Sequence, residues 1–102
     1  MNLIYKKPDE NTNNLCEKII YISLNYEDIK KAEKLIIQYL FYPDIEIERC
    51  CLTAISHLIR RGLLIDKNNL LYLFEVMPYS QELQGFISDV LDDFDIFSNH
   101  SD

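Results

Sequence analysis

The chain has 102 residues, 48% hydrophobic and 26% charged, and a formal net charge of −7. That length sets a single domain with a modest core, and that balance of apolar to charged residues excludes a disordered chain. The acidity disfavours nucleic acid and anionic membrane as partners, and no apolar run approaches the ~18 residues that a membrane span needs.

The charge is unevenly placed. Residues 1–67 carry ten acids and ten bases, whereas residues 68–102 carry seven acids and no Lys or Arg. An acidic third of this kind attracts a basic partner, or simply keeps the chain in solution. The start, MNLIYKKPDEN, has no apolar segment and no small-residue cleavage site, so no secretory signal is expected and the chain reads as cytoplasmic. Cys16, Cys50 and Cys51 are odd in number, two of them adjacent, without metal-ligand spacing. Buried, reduced thiols are the expectation.

In chain order, residues 1–13 are polar and carry Pro8, which suggests an extended N-terminal arm. A first helix is predicted over Leu15 to Leu24. Asn25 is placed to cap a second helix running to about Phe41, with Leu24 and Ile29 as a hydrophobic staple. Its inward face is Ile29, Ala32, Ile36 and Leu40, and Tyr42-Pro43 ends it. Asp44 then caps the best-marked helix, Ile45 to Arg61. Glu46 and Glu48 stand at its start, Arg60 and Arg61 at its end, and Gly62 follows as a residue able to take positive φ. Ile47, Cys51, Ala54, Ile55 and Leu58 form a narrow apolar stripe. Glu46, Arg49, Thr53, Ser56, His57 and Arg60 face the other way.

Asp66 is expected to cap a fourth helix with Leu70, Leu73, Phe74 and Met77 inward, stopped by Pro78. Ser80 is expected to cap the last, which carries Leu83, Ile87, Val90, Leu91 and Phe94 on one side. Glu82, Asp89 and Asp92 lie on the other, with Asp93 at the edge. Residues 98–102 read as a frayed tail. A shift of 36 residues brings the stripe of the third helix onto that of the fifth, and a shift of 41 brings Asn25, Ile29 and Ala32 onto Asp66, Leu70 and Leu73. Two helix pairs of about 40 residues signal an all-α solenoid with about five main helices, in which neighbours must cover each other's faces.

Asp44, Ile47, Glu48, Cys51, Ala54 and Ile55 resemble the second helix of a HEAT repeat, except that Glu48 stands where those repeats usually carry arginine. The stretches SHLIRRGLLID (Ser56 to Asp66) and DVLDDFDIF (Asp89 to Phe97) are similar to small bacterial HEAT-like proteins of this length, over about residues 25–97. Several of these are immunity proteins of toxin systems, including the CdiI proteins of contact-dependent growth inhibition. The resemblance implies a short right-handed solenoid over one domain, 1–102. It implies a cytoplasmic, monomeric protein that neutralises a cognate toxin in a 1:1 complex, the toxin a basic nuclease of RNase A-like kind.

Little points to catalysis. His57 and His100 are the only histidines, and Arg60 and Arg61 occupy the positions where a metal site on that helix would need ligands. Asp92-Asp93-Phe94-Asp95 lacks the glycine and closing glutamate of a calcium loop. With only Gly62 and Gly85 there is no phosphate-cradling loop. Neither a catalytic site, a metal nor a cofactor is expected. The candidate partner-binding residues are Glu82, Asp89, Asp92, Asp93, Glu46, Arg49 and His57, with Tyr79 as an aromatic anchor or a staple of the following cap. A HEAT-like adaptor for an unrelated protein is the alternative reading.

Overall fold

Helix α3 (Ile45–Arg61) lies at the centre of the computed structural model, which describes residues 10–98. The elements around it are α1 (Glu10–Asn25), α2 (Ile29–Leu40), α4 (Lys67–Val76) and α5 (Gln84–Ser98). The described residues are therefore all-α, with five helices, as the periodicity predicted.

Both ends of α3 form as its sequence predicts. The Asp44 carboxylate accepts from the Glu46 and Ile47 amides at 2.9 and 3.2 Å, satisfying two donors that the first turn otherwise leaves free. Gly62 closes the helix at φ +104°, a left-handed conformation that costs a side-chain-bearing residue strain. The stripe Ile47, Cys51, Ala54, Ile55 and Leu58 is buried, but burial does not stop there. Glu48, Cys50, Leu52 and Ile59 are buried as well. The stripe is broad rather than narrow because α1, α2 and α5 all pack against α3. What stays partly open is the polar strip of Glu46, Arg49, Thr53, Ser56, His57 and Arg60.

Helix α1 begins at Glu10, so residues 10–13 are helical and not part of an extended arm. Nothing after Pro8 and before Leu15 breaks a helix, and Ile19 and Ile22 anchor its inner side in the core. Residues 1–9 lie outside the described residues. Asn25 is not the cap of α2. It is the last residue of α1, and its side-chain amide donates back to the Tyr21 carbonyl at 3.0 Å. Asp28 caps α2 instead, accepting from the Lys31 amide at 3.1 Å. Arg61, at the far end of α3, donates to the Ser23 carbonyl at 2.8 Å and to the Tyr26 carbonyl. It thereby satisfies carbonyls that the end of α1 leaves open.

The cysteines also depart from expectation. Cys16 on α1 and Cys50 on α3 form a disulfide, with Cα atoms 5.7 Å apart, within the span such a bond bridges without backbone movement. Only Cys51 is a free, buried thiol. Burial, with the nearby Glu48 charge, pushes that thiol up to about 12, so it is inert at neutral pH. Sequence spacing cannot show that α1 lies along α3, which is what brings Cys16 to Cys50.

Asp66 caps α4 through the Asn69 amide at 2.9 Å, and Pro78 follows its end, as predicted. Ser80 does not cap α5. Residues 78–83 form successive turns, and the Leu83 amide already donates to the Tyr79 carbonyl at 3.1 Å. Helical winding thus begins upstream of Ser80, which leaves its hydroxyl no first-turn amide to receive. Leu83, Ile87 and Val90 are nonetheless buried, with Leu91 and Phe94 packed beside them, so the stripe of α5 is as read. Ser98 is helical rather than frayed, and residues 99–102 lie outside the described residues.

Two buried glutamates hold the connectors. Glu33 on α2 accepts from the Leu64 and Ile65 amides at 2.8 and 3.2 Å. Glu48 on α3 accepts from the Tyr79 amide at 3.0 Å. Each carboxylate replaces the water that an irregular backbone would lose on burial.

Candidate protein-interaction face

The face is built where α5 lies along the open strip of α3. Arg49 stands 5.9 Å from the Phe86 ring centre, and Arg60 stands 5.7 Å from that of Phe97. Arg60 also pairs with Asp93 at 3.2 Å. Earlier residues of α3 thus meet earlier residues of α5, so the two helices run in the same direction. Guanidinium groups over aromatic faces gain from the ring quadrupole while staying largely hydrated, about 0.5–1 kcal/mol each at exposed sites.

Between these contacts lies a groove of about 210 Å³, with Thr53, Ser56 and His57 on one wall and Phe86, Asp89 and Asp93 on the other. Burial, and then the Arg60 charge, hold His57 below its ordinary value, so it is neutral at pH 7. Asp93 is half-buried and neutralised by Arg60, and Asp95 pairs with Lys67 at 2.6 Å. Asp89 and Asp92 are exposed, and among the described residues neither has an ion-pair partner.

The other sequence-predicted residues fall around this groove. Glu46 is tied to Arg49 at 2.7 Å, an exposed i,i+3 pair that orients the arginine toward Phe86 and adds little stability. Glu82 is exposed in the turn before α5. Tyr79 is half-buried against the core and its amide is held by Glu48, so its local role is to pack and fasten that turn. Asp89, Asp93 and His57 therefore share one groove, Glu46 and Arg49 stand on the same face of α3, and Glu82 and Tyr79 belong to the connector.

Glu48 lies beneath this surface, and sequence reasoning missed its importance. Its side chain is fully buried, and its second carboxylate oxygen has no hydrogen-bond partner. Burial pushes the carboxyl above the usual range. The Tyr79 amide opposes that rise, while Asp44 and Glu82 add to it. The signal was the acid in place of a repeat arginine, but nothing local shows that a backbone amide 31 residues away would meet it.

A second depression, about 400 Å³ and mostly apolar, lies along α1 beside Cys16, Ile20, Tyr21 and Leu24. No helix among the described residues is long and apolar enough to cross a membrane, and no cluster of three or more His, Cys, Asp or Glu among them is placed to hold a metal ion. No family model, curated protein or solved structure matches the chain.

Proposed function

We propose that this protein is an immunity protein. It binds a cognate basic toxin domain, a nuclease delivered by a neighbouring cell, and neutralises it by covering the active site. The observation that carries this reading is the uncompensated acid on the α5 side. Glu82, Asp89 and Asp92 have no ion-pair partner among the described residues, and residues 68–102 contain no Lys or Arg. A nuclease must attract polyanions, so its cleft is positive. An acidic partner is steered to such a cleft at rates that approach 10⁸–10⁹ M⁻¹s⁻¹ at low salt.

Neutralisation by occupancy needs no chemistry, in keeping with a site made of charges and aromatic rings. In this reading the chain is a short HEAT-like stack in which α2 packs against α3, with α3 and α5 forming the binding surface. The protein works as a monomer in the cytoplasm, where an incoming toxin is met. Glutathione there opens most protein disulfides, so immunity is expected without the Cys16–Cys50 bond.

The test is co-expression with the C-terminal domain encoded by the gene immediately upstream, scored by growth. Rescue together with a 1:1 complex on gel filtration supports immunity. An active toxin domain that the protein neither binds nor silences removes the reading for that pair, and a general adaptor role then takes its place.

A further inference from the structure

The α3–α5 groove shows a regular series with one member missing. Along α5, Phe86, Asp93 and Phe97 each meet a guanidinium of α3: Arg49 at the first, Arg60 at the other two. Asp89 lies between them and meets none. The α3 residues at that level, Thr53, Ser56 and His57, are short or uncharged and leave the space of the groove open.

We infer that this gap is a receptor for one cationic side chain of a protein partner, an arginine, which enters the α3–α5 groove and pairs with Asp89. The inference rests on the immunity reading for the identity of the partner but not for the chemistry of the groove. Asp89 supplies the charge, and the exposed part of Phe86 supplies apolar surface along which the stem of an arginine can lie. The Ser56 hydroxyl and the neutral His57 ring supply acceptors. Arg49, over Phe86, and Arg60, in the groove lining, bound this space at its two ends, each already paired with an acid of the chain, Glu46 and Asp93. The groove thus adds register to a face whose remaining acid, Glu82 and Asp92, supplies only attraction.

The experiment is a titration of the ¹⁵N-labelled full chain, followed by NMR, with Nα-acetyl-arginine amide, and with Nα-acetyl-glutamine amide as the uncharged probe. Saturable shifts confined to residues around Ser56, His57 and Asp89, weakened at least about fivefold by Asp89→Asn and unchanged by Asp92→Asn, support the site. Ser56→Arg, which brings a cation of the chain's own to the gap, is expected to block the probe while the remaining spectrum stays in place. Shifts that survive Asp89→Asn, that centre on Asp92, or that the glutamine probe reproduces overturn it. A toxin domain bound equally tightly by Asp89→Asn and the parent protein also overturns it, with immunity left standing. Arginine shifts as described, with the toxin domain left unbound, support the groove and remove the immunity reading for that pair.

Discussion

Opening the Cys16–Cys50 bond tests how α1 is held to the rest of the chain. The two cysteines are 34 residues apart in sequence. A cross-link closing a loop of that size removes roughly 4 kcal/mol of chain entropy from the unfolded state at 25 °C. Reduction costs the folded protein that amount, less any strain it relieves, because Ile19, Ile22 and the Arg61 bonds still fasten α1. For a domain of this length the loss corresponds to a fall in Tm of about 20 °C.

The assay is thermal and urea unfolding of air-oxidised protein with and without a phosphine reductant, with alkylation under denaturing conditions to count thiols by mass. The oxidised protein should take one label, at Cys51, and the reduced protein three. Hydrogen exchange of α1 amides should accelerate on reduction more than that of α3, since α1 loses its cross-link to α3. Three labels on the oxidised protein, or a midpoint indifferent to reductant, would refute the reasoning.

Three further outcomes are expected. Glu48→Gln should flatten the pH dependence of stability. The raised native value of Glu48 means that the folded state holds a proton the unfolded state has released, so stability falls as pH rises from about 4.5 through the native value. The variant should lack that decline and be more stable than the parent at pH 7 in urea titrations, and an unchanged slope would show that Glu48 ionises freely. Arg61→Ala should cost about 2 kcal/mol, since the carbonyls of Ser23 and Tyr26 lose a charged donor in a partly buried place; chemical denaturation reads it directly. Neutralising Asp89, Asp92 and Asp93 together should slow association with the toxin domain about tenfold at low salt and flatten its salt dependence, as seen by stopped-flow mixing. Equal rates and an equal salt slope would place the contact elsewhere.

The candidate site was legible in its residues but not in its arrangement. Asp89, Asp93, His57 and Arg49 were named from helical phase, and that phase does bring them to the α3–α5 side. The phase could not show that Arg60 neutralises Asp93, that Lys67 neutralises Asp95, or that Asp89 is left over. Those distinctions depend on side chains 28 to 33 residues apart meeting across two helices. Tyr79 shows the same limit. As an aromatic residue before an expected cap it read as an anchor or a staple, and its place was decided by a carboxylate on another helix.

The sequence by itself determined what is settled within about four residues. Asp44, Asp66, Gly62 and Pro78 mark helix ends because a cap, a left-handed turn or a missing amide acts on neighbouring backbone. The apolar stripes of α3 and α5 follow from a 3.6-residue repeat, though the wider burial of α3, at Cys50, Leu52 and Ile59, does not. Tertiary structure alone decided the disulfide, the burial of Glu33 and Glu48, the reach of Arg61 to the end of α1, and the groove with its one unpaired aspartate. Each of these joins groups about 30 residues apart or more, and a polar side chain carries no local mark of whether water or a distant amide will satisfy it.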